Sequence, residues 1–381
     1  MTRPYTLEQL RRATLRRQFP AVRGRGPAAV VDLVRRVGPI QSQAPRAPFV
    51  GIAARLPGVD HAAIAAAFEA YDIVKGSNIR GTVHVCVRDH FPLLDAVTRR
   101  TVAASWRNGL RLQRHDVDDL RAEIERWIGD DWRLESDLTD HMTDWLGTHE
   151  SAESAAASKE SHGRFILRGY SALIRRPSNA AWEKRSPWML HHGPPLLGTE
   201  VVEADAALAA LARVHIASYG PSTRHDIAWW SGEGLTRIDA AVAALGDEIV
   251  ARPGPDGATY LDLADLPRGG RPEPGLRLLP EFDALVLGYH PRGRTRFLDE
   301  AHVEWIWNRT NGIFSSAVLY DGQLVALWRL VGSGRRRDFE VWPLPGEAAP
   351  PERELAEPVD GLARAMAVEV REIRVRDTSA G

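Results

Sequence analysis

Apolar residues recur at helical spacing most clearly between about 205 and 262. Leu208, Leu211 and Ile216 mark a helix over 204–217, and Gly220-Pro221-Ser222 predicts a turn with Ser222 as N-cap. A short second helix is expected over 223–230. Leu235, Ile238, Val242 and Leu245 then describe an amphipathic third. The stretches 248–252 and 259–263 flank Pro253-Gly254-Pro255-Asp256-Gly257 and read as a hairpin. Three helices followed by a hairpin is the plan of a winged helix-turn-helix.

Two fainter copies of this plan precede it. Helices are expected over 6–18, 27–37 and 62–70, with a hairpin over 73–78 and 82–88. Further helices are expected over 119–128, 137–146 and 152–168, followed by strand-like pieces at 172–176 and 180–190. No exact repeat supports the comparison, so it rests on the order of elements. From about 274 the pattern changes to strands at 276–280, 284–289, 313–319 and 324–331, with Asp321-Gly322 as a two-residue hairpin turn. A helix over 352–367 and a strand over 368–375 close the chain, and Gly269 to Gly275 reads as a linker. The expected fold is α+β: tandem winged-helix modules at 1–112, 113–200 and 201–268, then a β-rich region at 274–381.

Composition adds bounds. The 381 residues are 44% hydrophobic and 26% charged, as in globular proteins with a sizeable core. The N-terminal residues lack an apolar signal core, and no apolar run approaches the ~20 residues of a spanning helix, so a cytoplasmic protein without membrane contact is expected. The single cysteine, Cys86, excludes an internal disulfide and cysteine-based zinc fingers. Charge is segregated although the net is −1. Residues 1–60 carry eleven arginines against Glu8, Asp32 and Asp60, a net +8, while residues 116–150 come to −9. One basic face would follow from this, although solvated arginine-rich helices would give the same pattern.

The chemistry concentrates at Gln41-Ser42-Gln43. Pro39, Pro45 and Pro48 remove backbone donors and push the residues before them out of the helical region. In an extended or loop backbone the two amides project to one side, where both could reach a small target such as a water. A polar loop is the plainer reading of that pair by itself. Arg80, Thr82 and His84 alternate on an expected strand, either as the polar side of a wing or as the lining of a cleft. Asp283 reads as a turn cap or a residue near the site. The basic run His290-Pro291-Arg292-Gly293-Arg294-Thr295-Arg296 is either an exposed hairpin turning at Gly293 or a loop entering a DNA groove. Arg335-Arg336-Arg337 reads as a solvated turn or a phosphate contact. His191-His192 lacks the spacing of a zinc-protease motif, and no Cys/His cluster or phosphate-binding glycine loop is present, so neither metal nor cofactor is expected. Lys75, Lys159 and Lys184 are the only lysines, and none stands in a Schiff-base motif.

Several of these stretches together resemble the AlkZ/YcaQ-type DNA glycosylases. They are residues 37–45, Arg80-Gly81-Thr82-Val83-His84, Gly220-Pro221 through Trp229-Trp230, residues 278–285, and Asn311-Gly312-Ile313-Phe314 through Leu319. The resemblance spans about residues 6 to 370 and implies tandem winged helices around a concave DNA-binding surface. It implies hydrolysis of the N-glycosidic bond of purines alkylated at N7, including unhooking of interstrand crosslinks. The family's catalytic Gln-X-Gln pair falls on Gln41 and Gln43. Glutamine at the second position resembles the branch tied to self-resistance against DNA-alkylating natural products; Ser42 departs from the usual aliphatic middle residue.

Double-stranded DNA carrying alkylated purines is then the expected partner of a monomeric, monofunctional enzyme. Arg46, Arg80, Thr82, His84, His290, Arg292, Arg294 and Arg296 are the candidate DNA-binding residues. The alternative from another class is a non-catalytic winged-helix transcriptional regulator, which would have no need of paired amides.

Overall fold

A capping box starts the first helix, α1 (Leu7–Gln18): Thr6 accepts from the Gln9 amide and Gln9 accepts from Thr6 N–H. The computed structural model describes residues 3–266, 275–308, 310 and 312–376. Pro27 occupies the first turn of α2 (Pro27–Val37), where its missing N–H costs nothing. Then come β1 (Ile40–Gln41), α3 (Ala47–Arg55), α4 (His61–Glu69), β2 (Ile73–Ser77), β3 (Val83–Val87) and α5 (Phe91–Gly109). A second group holds α6 (Val117–Ile128), β4 (Arg133–Leu134), α7 (Glu135–His149), α8 (Ala152–Lys159), α9 (Ser161–Arg168), β5 (Leu173–Pro177), β6 (Trp188–His192) and α10 (Gly193–Leu197). A third holds α11 (Ala204–Tyr219), α12 (Arg224–Ser231), α13 (Leu235–Ala244) and the hairpin β7 (Ile249–Pro253) and β8 (Thr259–Leu263). The last region runs β9 (Leu276–Leu279), α14 (Ala284–Leu287), α15 (Val303–Ile306), β10 (Trp307–Asn308), β11 (Ile313–Phe314), β12 (Ala317–Tyr320), β13 (Gln323–Val331), β14 (Arg336–Pro343), α16 (Glu352–Ala365) and β15 (Glu369–Val375). Among the described residues no helix is long and apolar enough to cross a membrane.

Several local differences from expectation have physical reasons. Helix α3 was not foreseen: Pro48 lies in its first turn and so begins it rather than preventing it. The stretch 152–168 is two helices, broken at Glu160. Gly163 packs so closely on α8 that an added Cβ would lie 2.1 Å from the Ala157 carbonyl oxygen. Thr223, not Ser222, caps α12 in a box with Asp226, while Ser222 pairs with Leu261. Residues 284–287 form a helical turn capped by Asp283, not a strand, and 313–319 splits between β11 and β12 in different sheets. Of 180–190 only the end is extended, in β6. Arg336 and Arg337 open β14 instead of forming a turn. The linker expected at Gly269 to Gly275 lies outside the described residues except at its end.

The hairpins of the first two groups do not stand apart. They merge into one six-stranded sheet, order β1-β3-β2-β5-β6-β4, joined where Gly76 pairs with Ile174. A Cβ at Gly76 would lie 3.1 Å from the Leu173 carbonyl oxygen, so a larger residue would press the join apart. The C-terminal sheet has the order β15-β14-β13-β12-β9, parallel only between β14 and β15. Phe49 and Ile52 of α3, Leu278 of β9, Val318 of β12 and Leu355 of α16 share one apolar core. The two ends of the chain are thereby locked together, with the Gln-Ser-Gln segment beside the seam.

Candidate active site

Gly38 brings the chain into the site. Its φ of +81° suits glycine, and a Cβ there would lie 3.0 Å from both Ser218 Oγ and Tyr219 Oη. Tyr219 Oη donates to the Pro39 carbonyl (3.3 Å), and Gln18 Nε2 bridges the Val37 and Ser218 carbonyls. β1 then pairs with β3, placing Gln41 opposite His84. The Ser42 N–H donates to the Val83 carbonyl (2.7 Å), and the Val83 N–H donates to Gln43 Oε1 (3.3 Å). Because an N–H can only donate, this bond fixes which way the Gln43 amide faces.

The chain is extended at Gln41 and bends at Gln43, and the two side chains line different cavities. Gln41 is buried and Gln43 exposed. Gln41 walls a cavity of about 10 Å³ with Arg80, His84, Tyr219, Trp230 and Phe282. A single water needs roughly that much space. Gln43 instead lines an open cleft of about 290 Å³ with Glu135, Arg164, Phe165, Arg168 and Arg175. Sequence reasoning missed these cleft residues, which come from α7, α9 and β5 and carry no motif.

His84 is buried, and burial, opposed by its bond to the Thr82 carbonyl, pushes it down to about 4. It is therefore neutral at pH 7. Its Nδ1 lies 2.9 Å from that carbonyl and must carry the proton, which leaves Nε2 as an acceptor. Lys75 lies on the opposite face of the sheet, since it pairs with Val85 while Gln41 pairs with His84. It sits 4.5 Å from the Trp188 ring centroid, and burial brings its ammonium down to about 7.

The expected DNA-binding residues scatter. Arg80 is not on a strand: it takes φ 53° in the turn before β3 and donates to the Trp229 carbonyl (2.7 Å). The Thr82 hydroxyl closes that turn on Ile79. Only His84 of the three is in the strand, so the expected shared face does not form. Arg46 pairs with Glu281. The run at 290–296 is a 3₁₀ turn rather than a hairpin. His290 is half-buried and Arg292 exposed, beside a cleft of about 310 Å³ shared with His225 and Tyr260. Arg294 and Arg296 point inward. Arg294 packs on Trp229, Trp307 and Phe314, and its Nε and Nη1 have no partner among the described residues. Burial, then Arg80, lowers it to about 10. Arg296 stacks on Tyr260 and Tyr289 and donates to Thr14 Oγ1. Neither can enter a groove as placed.

The basic face expected from residues 1–60 is also largely neutralised within the protein. Arg17 pairs with Asp262, Arg35 with Asp89, Arg36 with Asp32, and Arg55 with Asp283.

A family model for AlkZ-like DNA glycosylases matches residues 34–367. Among solved structures, Streptomyces sahachiroi DNA glycosylase AlkZ superposes with a TM-score of 0.81 at 19% sequence identity. The match covers 98% of this chain and 100% of that one. No curated protein matches the sequence.

Proposed function

We propose, for a chain that belongs to the AlkZ-like DNA glycosylase family, that it hydrolyses the N-glycosidic bond of purines alkylated at N7 in double-stranded DNA. Gln41 and Gln43 are the proposed catalytic residues. The observation that carries this reading is the cavity of one water's size walled by Gln41 and His84.

A purine alkylated at N7 is already cationic and leaves as a neutral base, so the enzyme has no need of a carboxylic acid to protonate it. What remains is to hold a water in line with C1′ and to tolerate positive charge on the sugar. In the proposal, Gln41 Oε1 and the unprotonated Nε2 of His84 hold that water. Gln43 faces the sugar from the open cleft, its carbonyl oxygen supplying partial negative charge to the oxocarbenium-like transition state. The bond from the Val83 N–H orients that oxygen before substrate arrives. No cofactor takes part, and the protein acts as a monomer. The open cleft at Gln43 favours large adducts and crosslinks, whose tethered base cannot swing into a closed pocket.

The test is abasic-site formation on duplexes carrying N7-methylguanine or a nitrogen-mustard crosslink. The proposal expects cleavage of at least one. Tight binding of undamaged duplex with cleavage of neither would overturn it in favour of a DNA-binding regulator.

A further inference from the structure

The cleft that holds Gln43 does not end there. It shares Phe165 with a second cleft of about 240 Å³, lined by Arg80, Thr101, Trp106 and Gly232. Phe165 is 46% exposed and stands in the wall shared by the two clefts. Its position on α9 explains this: Gly163, Ile166 and Leu167 are the buried residues of the helix, and Phe165 lies off that face. The helix is held firmly. Gly163 abuts Ala157, and a Cβ at Gly109 of α5 would lie 2.3 Å from Ile166 Cδ1. The ring is thus presented by a fixed element.

Cations stand on both sides of it. Arg164 is exposed next to Phe165, and Arg168 is half-buried, 3.5 Å from Glu135 and donating to Thr139. Across the second cleft, the Arg80 guanidinium lies 5.4 Å from the Trp229 ring centroid. Arg80 also walls the Gln41 cavity, so the three cavities are neighbours: Arg80 stands between the first two and Phe165 between the second and the Gln43 cleft.

An apolar ring between separated guanidiniums matches one class of occupant, a nucleic-acid strand with a base out of the stack. The base stacks on the ring and the flanking phosphates meet the cations. We propose that Phe165 is a stacking platform for an unpaired base of the lesion-bearing duplex, with Arg164 and Arg80 on its flanking phosphates. This deepens the glycosylase reading and rests on it for the identity of the DNA. The groove gives a displaced nucleotide a place to rest while the glutamines act at its neighbour or at its own sugar.

The experiment uses a duplex with one N7-methylguanine and 2-aminopurine at the adjacent position. Wild type, Phe165→Ala, Phe165→Tyr and Arg164→Gln are compared for binding, 2-aminopurine fluorescence and excision. Binding by wild type should raise the fluorescence. Phe165→Ala should lose most of that rise and bind about 10-fold more weakly, as for one lost base stack. Phe165→Tyr should restore both, and Arg164→Gln should reduce the slope of log affinity against log salt by about one. Fluorescence and affinity unchanged in Phe165→Ala would overturn the proposal even if wild type excises normally. A Phe165-dependent fluorescence rise, with excision by wild type of neither this adduct nor a nitrogen-mustard crosslink, would support the groove and overturn the glycosylase reading alone.

Discussion

Replacing Asp283 with asparagine tests how the site is braced. Asp283 Oδ1 and Oδ2 accept from Arg55 Nη2 and Nη1 at 2.8 and 2.9 Å, and the side chains are only 5% and 3% exposed. Arg55 also donates to Gly51 and Gln18 and lies 5.1 Å from the Phe19 ring centroid. Asparagine keeps an oxygen to cap α14, where Asp283 Oδ1 accepts from Leu285 N–H, but removes the counterion. Breaking a buried pair on one side costs about 3–5 kcal/mol because the other charge stays buried. Unfolding entropy of about 0.8 kcal/mol/K, if the chain melts as one unit, turns that into a fall in Tm of about 4–6 °C. The double variant Arg55→Met/Asp283→Leu should be more stable than either single change, since both charges are gone. Thermal melting checks the stability, and single-turnover excision well below the transition checks the site. A loss below about 1 kcal/mol would refute the view of an isolated interior pair. Unchanged melting with lost excision would move Asp283 from brace to catalytic residue.

Two further outcomes follow from buried polar groups. The Ser42 hydroxyl is buried without a hydrogen-bond partner among the described residues, so Ser42→Ala should stabilise the fold by roughly 1–3 kcal/mol in denaturant melts. A destabilised variant would show that the hydroxyl has a partner. His84 and His215 are each pushed by burial to about 4, well below the ordinary value. Between roughly pH 6.5 and pH 4 the unfolded chain binds protons that the native state refuses. Stability should be full above the upper limit and fall as pH drops through that window; denaturant midpoints that stay flat there would contradict the burial of neutral rings.

How much was legible in the sequence depends on what kind of signal each element carries. The order of helices and hairpins was readable because apolar periodicity and turn residues are local: α11 to β8 follow the expected order closely. The merger of two hairpins into one sheet was not, because it depends on a single long-range pairing at Gly76 that no local pattern marks. The prolines mark the glutamine segment in the sequence, but the cavity that each amide faces is set by long-range packing. An extended or loop backbone puts residues 41 and 43 on one side, whereas the chain bends at Gln43 and its side chain is held by the Val83 N–H at the mouth of a different cleft. Arginine placement was the least legible. Arg292, Arg294 and Arg296 look equivalent in a basic run, but the 3₁₀ turn sends the last two inward onto aromatic rings. Phe165 had no sequence signal, because an exposed phenylalanine differs from a core one only after the helix has been docked.

The most direct measurement is single-turnover excision of the preferred adduct by wild type, Gln41→Ala and Gln43→Ala, with DNA affinity determined for each. The account predicts that each substitution lowers the rate at least ~10²-fold while affinity changes little, as for contacts made mainly in the transition state. Excision at the wild-type rate by both variants, with undiminished DNA binding, would contradict it.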